Sequence, residues 1–195
     1  MLQGSTLPRY DHRKTSLMTP QLRRRLDKLN AQKQSLLASI ESLSASDLAW
    51  RPELGAWCVL DVVDHLMKVE RTMVEGFKGN LALRNPVPLV DRLRAYGLLG
   101  LMLSPIRVKV PTLALNTLPE MTSSLPVMVE RWMQFRSEMA QLISMLAPEE
   151  LLFGATRHPV SGWMDVRLAL AFLSAHLRHH AYQVKRLQSA IKHRR

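Results

Sequence analysis

The sequence predicts an all-α protein, an up-and-down four-helix bundle with a long, partly irregular crossover between its second and third helices. Three observations lead there. Leu, Arg and Ala are the commonest of the 195 residues, only 8 are glycine, and clusters of β-branched residues are scarce, a composition that favours helix. Four segments repeat apolar residues at the three-to-four spacing of one helix face. The stretches between them gather proline and glycine, which end helices.

The first helix is expected after Thr19, with that residue as N-cap and Pro20 at the first helical position, and it runs to about Leu43. Leu22, Leu26, Leu29, Lys33, Leu36, Leu37 and Ile40 form its inward face, and Arg23, Arg24, Arg25 and Lys28 lie mostly off that face. Residues 44–57 form a connection broken by Pro52 and Gly55, with Trp50 and Trp57 pinning it to the bundle end. The second helix runs from near Cys58 to about Lys78, with Val62, His65, Leu66, Val69, Met73 and then Gly76 or Phe77 facing inward.

Residues 85–119 carry Pro86, Pro88, Pro105, Pro111 and Pro119. One short helix, roughly Leu89 to Leu103, fits between them, and the following RVKVPTLALNTL reads as extended. A crossover of this length is more often functional than neutral, as a site wall or a dimer contact. The third helix, about Ser124 to Leu146, offers Val127, Trp132, Phe135, Met139, Leu142 and Leu146 as core positions. Residues 147–163 read as a loop holding Pro148, Gly154, Pro159 and Gly162. The fourth helix spans Met164 to Leu187. No internal repeat interrupts this order, so residues 19–192 are expected to make a single domain behind a flexible basic leader, residues 1–18.

At 47% hydrophobic and 22% charged, the chain can bury a real core. A single cysteine excludes an intramolecular disulfide and fits a reducing, cytoplasmic setting. The N-terminus has no apolar core of the kind a signal peptide needs. The longest apolar run, Tyr96 to Leu103, falls far short of the roughly 20 residues that span a bilayer, so no transmembrane segment is expected. The net charge of +11 sits at the two ends: seven Lys/Arg against two acids in residues 1–30, and six against none in residues 176–195. Basic ends attract nucleic acid or anionic membranes. Interleaved aromatics and a recognised nucleic-acid motif are both missing, however, and solvated helix ends account for the charge. A small molecule is the expected partner instead. If the helices alternate in direction, the two basic segments merge at one pole.

The chemistry points to histidine. His176 and His180 are one turn apart and share a helix face with Ala169, Phe172, Leu173, Gln183, Val184 and Leu187, so they point into the core. His65 lies on the apolar face of another helix. Three inward imidazoles need more partners than an apolar core offers. A divalent metal bound by neutral imidazoles meets that need and leaves a position for water or substrate. Asp61, one turn before His65, and Gln183 are placed to support the ligands from behind. Spacing alone leaves unrelated core histidines as an open alternative. His179 is displaced by about 100° from His180 and reads as flanking. His12, His158 and His193 lie in tails or loops without a ligand-like partner. Cys58, at a helix start where the dipole lowers a thiol pKa, reads as a small capping residue, since it stands about 10 Å along the helix from His65.

Two stretches resemble a known family. DLAWRPELGAWCVLDVVDHL, residues 47–66, is similar to a loop with Trp leading into a helix that bears His-Leu. HPVSGWMDVRLALAFLSAHLRHHAYQVKRL, residues 158–187, is similar to a His-Pro, a glycine turn and a helix with His-x-x-x-His-x-x-Gln. Both belong to the pattern of the DinB-like (DinB/YfiT) superfamily of four-helix-bundle proteins, and VPTLALNTLP before the third helix resembles it more weakly. The resemblance implies that His65, His176 and His180 bind a divalent metal, Zn or Ni. It implies activation of water or of a low-molecular-weight thiol, by a hydrolase or thiol transferase, and a homodimer. A non-catalytic binding or stress-response protein with a structural or vestigial metal site is the alternative. Two positions depart from the pattern: Cys58 stands where a Ser or Thr cap is common, and Met164-Asp165 where a Thr commonly opens the last helix.

Overall fold

A computed structural model describes residues 18–104, 117–120 and 123–194. Residues 1–17 of the expected leader, and residues 107–116 of the stretch expected to be extended, lie outside these residues. The helices, in order, are α1 Pro20–Ile40, α2 Ala45–Ala49, α3 Val59–Asn80, α4 Leu89–Leu103, α5 Leu125–Ser144 and α6 Val166–Arg194. A hairpin of β1 Gly154–His158 and β2 Gly162–Asp165 precedes α6. Among the described residues no helix is long and apolar enough to cross a membrane.

The ends of these elements follow from local chemistry. Thr19 Oγ1 accepts from the Leu22 amide at 3.3 Å, and Pro20 opens α1. Within the connection 44–57, Ser44 and Asp47 cap each other reciprocally and create the short α2. Asp165 Oδ1 accepts from the Leu168 amide at 2.8 Å and caps α6. The last helix therefore starts at Val166 rather than Met164, because Met164 and Asp165 finish β2.

α1, α3, α5 and α6 form the bundle, so the expected all-α four-helix bundle is what the chain builds. Its helix directions are less regular than simple alternation. Arg25 reaches the carbonyl of Arg167, Gln32 that of Ser174, and Gln188 that of Ser39, so α1 and α6 run parallel. Glu70 meets Trp132 and Arg136, and Lys78 meets Glu138 further on, so α3 and α5 also run parallel. The apolar residues divide accordingly. Leu22, Leu26 and Leu29 pack with Val69 to Phe77, while Leu36 and Ile40 pack with Val59 to Met67, which sets α1 antiparallel to α3. The order is up, down, down, up, and the long crossover between α3 and α5 returns the chain to the pole where α3 began. The described parts of the basic segments consequently lie apart: α1 begins at the pole opposite the one where α6 ends, near Trp50 and Asp47.

α3 is buried on nearly all sides, and α4 lies along α6 and the hairpin. Gly76 on α3 admits β1 at close range, since a Cβ there would stand 2.4 Å from Thr156 Oγ1. Gly162 takes φ +78° in the hairpin, where Asp91 of α4 accepts from the Trp163 amide at 2.8 Å. On α5 the inward stripe is Met128, Trp132, Arg136, Met139 and Ile143, and Val127 is exposed. Of the expected core positions Trp132 and Met139 are buried, and Phe135, Leu142 and Leu146 are partly buried against the core.

Candidate metal centre

α3 carries His65 and α6 carries His176 and His180 to one point in the bundle interior, and all three are buried. His65 Nε2 is 3.2 Å from His176 Nε2, and His180 Nε2 is 3.1 Å from the same atom. The other nitrogens explain which edge faces inward. His65 Nδ1 donates to the Thr117 carbonyl at 2.8 Å, and His180 Nδ1 donates to Gln183 Oε1 at 2.8 Å. A carbonyl oxygen only accepts, so both hydrogens sit on Nδ1 and both Nε2 atoms present lone pairs. Tetrahedral zinc with Zn–N bonds of 2.0–2.1 Å would place ligand nitrogens about 3.3 Å apart. The donor set therefore fits a divalent metal in chemistry and in spacing.

Burial keeps these rings neutral, as ligation requires. Desolvation is the largest cause in each case. It lowers His65, opposed by the bond to Thr117; it lowers His180 to about 3, helped by the charge of His65; and it lowers His176 well below the ordinary value, helped by His180 and His65.

The walls are aromatic. Trp57 lies 4.9 Å from the His65 ring and stacks on His180 at 6.0 Å, and Phe172 stacks on His176 at 5.2 Å. The end of the crossover is tied down beside them. Lys68 Nζ donates to the Leu118 carbonyl at 2.9 Å, and Asp64 accepts from the Glu120 amide at 3.0 Å. Lys68 also pairs with Asp64 and Glu120, both at 3.1 Å. This lattice holds the Thr117 carbonyl against His65.

Asp61 stands away from the histidines. Its carboxylate accepts from the Cys58 amide at 2.8 Å and pairs with Arg51 at 2.5 Å, so it caps α3. The acceptor behind His65 is instead the Thr117 carbonyl, a backbone group that leaves no mark in sequence. Gln183, by contrast, lies within hydrogen-bond distance of His180. Cys58 is fully buried, and that burial raises its thiol pKa, overriding the helix terminus. His179 bonds toward Met102 and meets His180 only edge-on at 5.3 Å. His158, assigned to a loop, closes β1 and packs on Phe172 at 4.7 Å.

Residues 28–184 match the family model of the DinB superfamily. The solved structure of YfiT from Bacillus subtilis, described as a probable metal-dependent hydrolase with an unusual four-helix bundle topology, aligns over 94% of this chain and 94% of its own. The identity is 17% and the TM-score 0.61, a likeness of fold. No curated protein matches the chain.

Proposed function

The chain belongs to the DinB superfamily, and on that footing we propose that it is a metal-dependent enzyme acting on a small molecule. His65, His176 and His180 would hold the ion, zinc or nickel. The observation that carries this reading is the meeting of three Nε2 atoms whose rings are turned inward by acceptors behind two of them. When bound, such an ion supplies Lewis acidity and draws the pKa of a water or thiol toward neutrality. The protein supplies the rest. Thr117 and Gln183 hold the His65 and His180 rings in the ligating tautomer. Burial keeps the imidazoles unprotonated at neutral pH. Trp57 and Phe172 exclude bulk water from the sides of the cluster and leave an apolar wall for a substrate.

The description of YfiT as a probable metal-dependent hydrolase supports water as the nucleophile, and the family resemblance supports a low-molecular-weight thiol. Metal titration of protein purified without a polyhistidine tag tests the ligand assignment. One Zn²⁺ or Ni²⁺ per chain is expected for the wild type and none for His176→Ala. Equal binding by both would contradict the assignment.

A further inference from the structure

Resting on the metal reading above, we propose that His158 is a specificity-determining residue of the same site: a tautomerically fixed N–H donor that takes a carboxylate, carbonyl or phosphoryl oxygen of the substrate. His158 ends β1 and starts the turn Pro159-Val160-Ser161. Its Nδ1 accepts from the Val160 amide at 3.2 Å and from the Ser161 amide at 3.3 Å. Two backbone donors on one nitrogen demand a lone pair there, so the hydrogen is on Nε2. Among the described residues Nε2 has no hydrogen-bond partner.

The ring is half-buried and tied to the metal cluster. It packs edge-on against Phe172 at 4.7 Å, and that phenyl also stacks on His176 at 5.2 Å. One side chain thus separates His158 from a proposed ligand, and a positive charge on His158 is felt at His176. Desolvation lowers the His158 pKa to about 4, so at neutral pH the ring is an uncharged donor. A turn lock alone uses only Nδ1, which a short Asn or Asp side chain would supply. The imidazole adds a second, unengaged donor one phenyl ring away from the proposed ligand His176. A neutral donor beside a metal centre favours ligands that carry an acceptor oxygen and offers nothing to those that present an N–H.

The test uses the full-length, untagged protein loaded with Co²⁺, whose visible absorption reports ligand binding at the metal. Acetate and imidazole are titrated into the wild type, His158→Phe and His158→Gln. Phe keeps the ring against Phe172 without the donor, and Gln keeps an acceptor and an N–H. Acetate is expected to bind His158→Phe about tenfold more weakly, with imidazole unchanged and His158→Gln near the wild type. Unchanged acetate affinity in His158→Phe overturns the assignment, as does equal weakening of acetate and imidazole, which marks a structural role. If the wild type gives no Co²⁺ spectrum, the metal reading itself fails, and the role of His158 falls with it.

Discussion

Two buried polar clusters share α3, five residues apart, and they are built on opposite principles. At Glu70 the carboxylate takes both Arg136, through Nε and through Nη2 at 2.7 Å, and the Trp132 indole at 2.5 Å. Arg136 spends a further N–H on Asn30 at 3.0 Å. Donors meet acceptors and the charges of the pair cancel, so the cluster is complete within the protein. At His65 three imidazoles meet with like edges. Donors face outward to Thr117 and Gln183, and the Nε2 lone pairs of His65 and His180 face His176 Nε2. A cation held at this edge, as proposed above, would meet those lone pairs. The first cluster ties α1, α3 and α5 together; the second joins α3 to α6 around the proposed ion.

Breaking the closed cluster should have the largest effect. Glu70→Ala leaves Arg136 buried and unpaired and is expected to cost about 3–5 kcal/mol by chemical denaturation. Adding Zn²⁺ should not narrow the gap between this variant and the wild type, because the lost charge is not in the metal cluster.

The open cluster should show itself through pH. In metal-free protein held with chelator, His65, His176 and His180 have folded pKa values below the ordinary 6.5. The unfolded chain therefore binds protons first as pH falls. Their stabilising contribution is fully present above about 6.5 and is lost as pH drops toward the folded values, His180 reaching about 3. Each group gives a slope of up to about 1.4 kcal/mol per pH unit. Stability measured between pH 7 and 5 should fall in the wild type and fall less in His176→Ala. An identical slope in both would show that the buried ring does not titrate as described.

A smaller effect sharpens the contrast at one atom. Gln183→Ala removes the acceptor behind His180 and should weaken Zn²⁺ binding by about 10- to 100-fold. Asp61→Ala should leave zinc affinity within about twofold, since the structure puts Asp61 on Cys58 and Arg51, and a cap of this kind contributes only about 1 kcal/mol to the helix. Competition with a chromophoric chelator measures both.

The bundle was legible because apolar spacing on α1, α3, α5 and α6 is strong, and Thr19 with Pro20 marks a helix start. The histidine trio was legible because the i, i+4 pair and His65 all fall on apolar faces. What escaped had physical reasons. The hairpin 154–165 is two short strands whose glycines and proline read as loop signals. Helix direction is not encoded in periodicity, so the parallel α1–α6 pair and the separation of the basic ends emerged only from cross-helix bonds such as Gln188 to Ser39. Arg136 and Glu70 are buried because each is the partner of the other, a pairing across helices that periodicity does not show. Thr117 acts through its carbonyl, so its side chain says nothing of its role. His158 read as a loop residue because the turn that fixes its tautomer is a three-dimensional feature.

X-ray absorption at the zinc edge of Zn²⁺-loaded, untagged protein tests the central claim most directly. Three imidazoles holding the ion predict nitrogen scatterers at about 2.0–2.1 Å with the outer-shell pattern of about three histidine rings, completed by a lighter oxygen ligand. A spectrum with no more than one imidazole, or with sulfur at about 2.3 Å from Cys58, would contradict it.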